Sequence, residues 1–375
     1  MHVIHVITGL GQGGAEAMLE KLILAARQRD PHISHEVISL GELGVVGQRL
    51  VKAQVKVRSL GMRSSISSLP KLIRLVWWIR PRGRPTVVQT WLWHADLFGG
   101  VAARITGNAR VVWNLRNALA GDPSQSRSSR FVSTACALVS RCVPAKIICN
   151  AQAAQDTHSA IGYDKTKCVV IPNGFDVERF SRQAQLGSEQ RLQWGVQRDE
   201  FLVGLVARLD PLKDHSNFVL AASHITSRLA NVRFVLVGEG VPTSLALRDL
   251  IERLGLTERF TLEGRKDDIP VVMSAMDAFC LSSKSEGFPN VLGEAMACET
   301  PCVTTDVGEA RSMLGDDRWV APSNDPLALA QRVLGLAELP PAELRALGQA
   351  QRARVQTRFG IDRVWRSYRN IYESL

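Results

Sequence analysis

Short apolar runs of strand length alternate with stretches of helical period along the whole chain. In the first half, His2–Ile7, Glu36–Leu40, Val55–Arg58, Thr86–Thr90, Arg110–Leu115, Ala145–Asn150 and Cys168–Ile171 read as strands. In the second half, Leu202–Ala207, Arg233–Gly238, Phe260–Leu262, Ala278–Leu281 and Cys302–Thr305 do the same. Strands that alternate with helices in this way belong to α/β architecture with parallel sheets. The pattern predicts two doubly wound domains, one in each half.

Ser181–Glu200 is polar and lacks a strand pattern, so it reads as a linker. The predicted domains are therefore 1–182 and 183–360. In 361–375, Ile361, Val364, Trp365, Tyr368 and Tyr372 recur at helical spacing. That apolar face needs a partner, expected back on the first domain. Ser124–Arg130 reads as a short polar loop. The length of 375 residues fits two domains at about 100–200 residues each.

Apolar residues make up 45% of the chain and charged residues 22%, which supports a folded core and excludes disordered and fibrous classes. No apolar run approaches the ~18–20 residues that cross a bilayer, and the start lacks a basic n-region. A soluble or peripheral intracellular protein is expected. The seven cysteines are odd in number, form no Cys-x-x-Cys pair and lie mostly in apolar runs. Buried free thiols are the expectation, with no metal site and no disulfide framework.

The net charge of +10 is unevenly placed, because residues 51–150 hold 16 basic and 2 acidic side chains. Within that stretch Leu69–Arg80 is a basic helix, with Lys71, Arg74 and Trp78 on one stripe and Leu72, Ile73, Leu75, Val76 and Ile79 on the others. Such a helix with adjacent tryptophans can lie in an anionic membrane interface. It can equally pack its apolar side on the first sheet and turn its basic side to water. The charge also suits nucleic acid, but no recognised module accompanies it, so no nucleic-acid partner is expected.

Candidate chemistry falls at strand ends. The first strand runs into Gly9-Leu-Gly11-Gln-Gly13-Gly14 and a helix, a turn in which backbone can pass close to a bound anion. Gly9, Gly11 and Gly14 also satisfy a dinucleotide spacing, which keeps an NAD(P)-dependent oxidoreductase open as an alternative. The acid such a site wants near the second strand is represented only by Glu42, in a loop past the strand end.

In the second half, Arg208 and Lys213 follow a strand in VARLDPLK, where ligands of open α/β sheets bind. Glu286 precedes a helix that begins near Pro289, and Glu294 lies inside it. Asn290, Val291 and Leu292 would aim backbone N–H groups at an anion. Singly, these are solvated cations and capping carboxylates. Together at strand and helix ends, they suit a polyhydroxylated, phosphorylated ligand.

Glu286 with Glu294, the VARLDPLK segment, VIPNGFDVERF at 170–180 and the opening GLGQGGAE resemble the retaining GT-B glycosyltransferases of family four, over essentially the whole chain. The resemblance implies two Rossmann-like domains facing across a cleft, with a nucleotide-sugar donor held mainly by the second. It implies that Arg208 and Lys213 neutralise the departing diphosphate, that Glu294 holds ribose and that Glu286 holds the transferred sugar. It places the backbone of Asn290, Val291 and Leu292 on phosphate, Gly13 and Gly14 near diphosphate and acceptor, and Arg265 and Lys266 in the base-binding loop.

His94, in TWLWHADLFGG, resembles the family's first-domain histidine near the sugar; a histidine packed among tryptophans is the other reading. Asn173, Gly174 and Asp176 look structural. A UDP-sugar donor, a lipid-linked or glycan acceptor and a place on the cytoplasmic face of the inner membrane follow as expectations. No cofactor is expected, and the absence of an Asp-x-Asp triplet fits a metal-independent reaction. Two positions depart from the family: Glu299 stands where glycine is common at a helix end, and Lys284-Ser285 replaces Pro-Ser before Glu286.

Overall fold

The strands form where the apolar runs stand, with ends shifted by a residue or two. Seven of them, β1 (His2–Ile7), β2 (Ser34–Ser39), β3 (Lys56–Ser59), β4 (Thr86–Trp91), β5 (Val111–Leu115), β6 (Lys146–Cys149) and β7 (Cys168–Val170), make one parallel sheet in the order β3-β2-β1-β4-β5-β6-β7. Six more, β8 (Phe201–Val206), β9 (Val232–Val237), β10 (Phe260–Glu263), β11 (Ala278–Leu281), β12 (Cys302–Thr305) and β13 (Val320–Ala321), make a second in the order β10-β9-β8-β11-β12-β13. The two-residue β13 is too short to leave a pattern in the sequence. The computed structural model describes residues 1–62, 69–81, 83, 85–107, 110–116 and 127–375, without the side chains of Leu69 and Arg127.

The chain divides into unit 1, Met1–Gly174 with Ile361–Leu375, and unit 2, Phe175–Gly360. In unit 1 the helices are α1 (Gly14–Arg29), α2 (Gly44–Lys52), α3 (Leu69–Ile79), α4 (Trp93–Ile105), α5 (Arg127–Val139) and α6 (Gln152–Ala160). Successive β1 residues serve opposite faces of the sheet. Val3 and Ile7 pack with Met18, Leu22 and Leu50 of α1 and α2, whereas Ile4 and Val6 share a core with Leu75, Trp93 and Cys136 of α3, α4 and α5.

Unit 2 carries α7 (Ala184–Gln193), α8 (His215–Thr226), α9 (Leu245–Arg253), α10 (Ile269–Ala275), α11 (Asn290–Ala297), α12 (Ala310–Leu314), α13 (Pro326–Ala337) and α14 (Pro341–Phe359). The last helix, α15 (Ile361–Glu373), belongs to unit 1. It buries Trp365, Tyr368 and Tyr372 in the core that holds Val3 and Ile7. Trp365 Nε1–H donates to Asp30 Oδ2 at 2.6 Å, and Arg369 pairs with the same carboxylate at 3.1 Å.

Several expectations change here. The predicted linker Ser181–Glu200 contains α7, which packs on α10. Arg191 fastens it by donating to the Ala275 carbonyl at 3.0 Å and pairing with Asp277 at 2.6 Å. The division accordingly falls at Gly174/Phe175 rather than after residue 182. Phe175 is buried in the core of unit 2 and donates its N–H to the Phe359 carbonyl at 2.8 Å.

Of the predicted loop Ser124–Arg130, residues 124–126 lie outside the described residues and 127–130 open α5. Trp78 of the basic helix is buried, with the guanidinium groups of Arg58 and Arg74 over its ring, so Trp77 is the tryptophan that faces solvent there.

Glu299 does adopt the left-handed conformation expected of its position, at φ 60°. Asn173 accepts from Arg116, and Asp176 Oδ1 accepts from the N–H groups of Glu178 and Arg179, so both shape the chain at the junction of the units. Cys136, Cys149, Cys280, Cys298 and Cys302 are buried free thiols, while Cys142 is exposed. No helix among the described residues is long and apolar enough to cross a membrane.

Candidate active site

In unit 2 the strand order reverses between β8 and β11, which lie side by side. Open parallel sheets bind ligands beyond the carboxyl ends of their strands at such a point, where the loops diverge and leave a crevice. The chain leaves β8 through Arg208 into a turn at Pro211–Lys213 that Asp210 caps, accepting the Leu212 N–H at 2.9 Å. Arg208 is largely exposed and its guanidinium rests on Asp210, with Nη2 at 2.9 Å.

Asp214 then takes a left-handed conformation (φ 49°, ψ 56°), which costs a non-glycine residue about 1 kcal/mol, and caps α8 by accepting the Asn217 N–H. This reversal directs Lys213 toward the loop after β11. Lys213 Nζ lies 2.6 Å from Glu286 Oε1, and the Ser283 hydroxyl donates to the same oxygen at 2.8 Å.

The loop that carries Glu286 is braced on both sides. Ser282 Oγ donates to the carbonyls of Lys213 and Asp214, and the Lys284 N–H donates to the Leu212 carbonyl at 2.8 Å. Lys284 Nζ lies 3.3 Å from Asp214 Oδ1. The Lys284-Ser285 departure therefore gives the loop an ion pair to the turn that positions Lys213. Behind it, Gly308 at φ +50° approaches the carbonyls of Glu286 and Gly287 so closely that a Cβ would stand 2.3 Å from the first.

Phe288 leads into α11, stacked on Phe175 with 6.1 Å between centroids. Gly293 lets that ring settle on the helix, since a Cβ there would come within 2.1 Å of it. Asn290 and Val291 occupy the first turn of α11, and Glu294, half-buried, lies one turn further. The Leu292 N–H donates to the Pro289 carbonyl at 3.2 Å, and its side chain is in the core. Arg265 and Lys266 follow the edge strand β10, two strands from β8, and pair with Asp267 at 3.5 Å and Glu263 at 3.0 Å.

Unit 1 reverses its strand order between β1 and β4, and the two first-half motifs follow these strands. Gly9, Gly11, Gly13 and Gly14 lead into α1, with Gly13 as its N-cap (φ −89°, ψ 172°). None of the four has positive φ, and no neighbouring atom would meet a Cβ on Gly9 or Gly11. The turn is thus open above Gly9 and Gly11, whereas a Cβ on Gly13 would stand 2.4 Å from Glu16 Oε2.

His94 is the second residue of α4. Its entry is a strained elbow, for Leu92 sits at φ 73°, ψ 153°, a region that side-chain residues avoid. Leu92 is held by donating to the Asn114 carbonyl and by accepting the Asp96 N–H at 2.9 Å. The fully buried Asp96 carboxyl accepts from Thr90 Oγ1, and burial raises its pKa well above the usual range. His94 is half-buried, and desolvation lowers its pKa, which leaves a neutral imidazole near pH 7. Three other histidines pack against tryptophans: His158 accepts from Trp93 Nε1–H at 2.9 Å, His5 accepts from Trp91 Nε1–H at 3.3 Å, and His35 lies edge-on to Trp365.

Asp214, Ser283 and Gly308 complete the unit 2 loops together with Lys284, which the sequence marks only as a departure from the family, and Leu92 with Asp96 completes the His94 elbow; none of the others is singled out by pattern. Gly308 carried a faint signal, as a glycine soon after a strand end. The others depend on backbone geometry that periodicity does not carry.

Two doubly wound domains with this strand order, and with polar loops at both reversal points, define the GT-B class of glycosyltransferase. Residues 12–179 match the family described as "Glycosyltransferase Family 4" and residues 200–338 the one described as "Glycosyl transferases group 1". The chain belongs to these family 4, group 1 glycosyltransferases and is a transferase enzyme.

It is 26% identical over 321 residues to the putative glycosyltransferase EpsF of Bacillus subtilis, covering 81% of this chain and 79% of that one. It is 26% identical over 253 residues to the Escherichia coli UDP-Gal:alpha-D-GlcNAc-diphosphoundecaprenol alpha-1,3-galactosyltransferase, covering 67% of this chain and 64% of the relative. The structure of Anabaena HepE in complex with UDP-glucose superimposes with a TM-score of 0.84 over the full length of both chains, at 22% identity. The oxidoreductase alternative gains no support from this assignment.

Proposed function

We propose that the enzyme transfers a hexosyl-type sugar, with retention of anomeric configuration, from a UDP-sugar to a lipid-linked or glycan-precursor acceptor of a cell-surface polysaccharide pathway. The observation that carries this reading is the Lys213–Glu286 pair at 2.6 Å beyond the adjoining ends of β8 and β11, with Arg208 on the same loop as Lys213. UDP-glucose bound to HepE and the undecaprenol-linked acceptor in the name of the E. coli relative support the two substrate classes.

When the donor is present, Lys213 exchanges Glu286 for a diphosphate oxygen, and Arg208 exchanges Asp210 for another. As the anomeric C–O bond lengthens, negative charge grows on the leaving diphosphate and positive charge on the sugar ring. Cations already held near the first stabilise the transition state more than the ground state. Glu286, released from Lys213, accepts a sugar hydroxyl and fixes the ring, and Glu294 accepts from the ribose. The N–H groups at the start of α11 face phosphate, and Arg265 and Lys266 meet the base.

In unit 1, the Gly13–Gly14 turn serves the diphosphate and the neutral His94 serves the sugar. These side chains supply the charge that a divalent ion would otherwise bring, so chelation with EDTA should leave turnover unchanged. A lipid-carried acceptor places the work at the cytoplasmic face of a membrane.

Lys213→Ala should lower turnover by about 10²-fold or more, the scale on which single electrostatic groups act, while circular dichroism and the melting temperature stay near those of the parent. Near-normal transfer by that variant would remove Lys213 from the mechanism.

A further inference from the structure

The helices α3, α4 and α5 lie side by side on one face of the unit 1 sheet, with α4 in the middle. Their inner sides fill the core with Leu75, Ile79, Trp93 and Cys136. Their outer sides are also apolar. Seven large apolar side chains among the described residues are more than 60% exposed, and five of them stand on these three helices: Ile73 (67%), Trp77 (61%), Ile105 (69%), Phe131 (75%) and Leu138 (76%). The other two, Leu192 and Leu245, belong to unit 2. Isolated exposed leucines are ordinary on soluble proteins, but a grouped set that includes two aromatic rings marks a contact surface.

The charge on this face selects the partner. Arg74, Arg104 and Arg130 are exposed on the same helices, and Arg80 and Arg141 just beyond α3 and α5. The one acid within the three helices is Asp96, which is fully buried. A surface of arginines and apolar rings without an exposed carboxylate repels a second copy of itself, because isologous pairing would bring guanidinium against guanidinium. It complements a sheet of phosphate headgroups over hydrocarbon, where arginines meet phosphates and rings enter the headgroup–acyl boundary. In a parallel α/β unit each helix starts at the carboxyl edge of the sheet, so α3 and α5 begin at the edge that carries His94.

We propose that the outward face of α3, α4 and α5 is the surface on which the enzyme rests against an anionic bilayer, with Ile73, Trp77, Phe131 and Leu138 inserted and the flanking arginines on lipid phosphates. Its purpose rests on the lipid-linked acceptor proposed above; its binding does not.

The test is sedimentation of the full-length protein with vesicles of phosphatidylcholine alone or mixed with phosphatidylglycerol, at low and high salt. The wild type should bind the mixed vesicles and release as salt rises. The exposed pair Phe131→Ser with Leu138→Ser should cut partitioning by about tenfold or more, as loss of two buried apolar side chains implies. Arg80→Glu with Arg104→Glu should weaken binding to the mixed vesicles. Leu192→Ser with Leu245→Ser, equally exposed but on unit 2, should change nothing.

Failure of the wild type to bind mixed vesicles would overturn the proposal, as would an equal loss in the unit 2 variant. So would a dimer in sedimentation velocity that the Phe131/Leu138 variant dissolves, since that makes the face a self-interface. Hydrolysis of UDP-sugar in the absence of lipid should stay at the wild-type level in every variant. Vesicle binding without transfer to any lipid-linked acceptor would refute the acceptor reading and leave the surface standing.

Discussion

Replacing Gly308 by alanine should disable the site without unfolding unit 2. Gly308 holds φ +50°, and a Cβ there would lie 2.3 Å from the Glu286 carbonyl oxygen and 2.5 Å from that of Gly287. Non-bonded contact is comfortable only beyond about 3.3 Å, so the Glu286 backbone has to retreat by about 1 Å. The 2.6 Å contact between Lys213 and Glu286 and the 2.8 Å bond from Ser283 both ride on that backbone. A displacement of about 1 Å near the reacting atoms costs on the order of 10²-fold in turnover, and the left-handed conformation costs alanine about 1 kcal/mol.

Gly255→Ala is the matched control, because Gly255 has φ +68° and no heavy atom within 4 Å of its Cβ position. Steady-state sugar transfer and thermal unfolding are measured on both variants. Both should lose about 1 kcal/mol of stability, Gly308→Ala somewhat more, and only Gly308→Ala should lose turnover. Wild-type turnover in Gly308→Ala, or an equal loss in Gly255→Ala, would refute the reasoning.

Acid should destabilise unit 1 through His158, whose pKa burial pushes down to about 4. The unfolded chain binds the extra proton between pH 4 and about 6.5, so stability contributed by this group is full above pH 6.5 and falls as pH drops, by at most about 3 kcal/mol. The buried Asp96, with its pKa raised, acts in the opposite direction, so the His158 share is isolated by comparing denaturant unfolding of the parent with His158→Gln, which should show the flatter pH dependence. Trp365→Ala should cost unit 1 about 3–5 kcal/mol, read as faster hydrogen exchange in β1 and β2, with unit 2 unchanged. Glu299→Gly should raise the melting temperature through relief of about 0.5–1 kcal/mol of backbone strain, because Glu299 holds φ 60° and its contact with Arg352 is long at 3.8 Å.

Much of the fold was legible because its signal is local. An apolar run of five or six residues followed by a helical period reads as a strand and its crossover wherever it stands, so twelve of the thirteen strands and the paired domains follow from periodicity. The elements misread are those with weak or divided patterns. α7 has little apolar periodicity, so a polar helix looked like a linker; Trp78 shares a stripe with Lys71 and Arg74 yet turns its ring inward beneath Arg58 and Arg74.

By itself the sequence determined the strands, the motifs at their ends and the concentration of positive charge in one stretch, since each depends on residue type and spacing along the chain. Only tertiary structure decided what meets. Lys213 and Glu286 are 73 positions apart, and they touch because β8 and β11 are neighbours in the sheet and because Asp214, Lys284 and Gly308 bend their loops together. The basic stretch became a surface only when α3, α4 and α5 packed side by side, burying Asp96 and leaving apolar rings among arginines. Proximity across a sheet and exposure on a face are properties of packing, which no periodicity encodes.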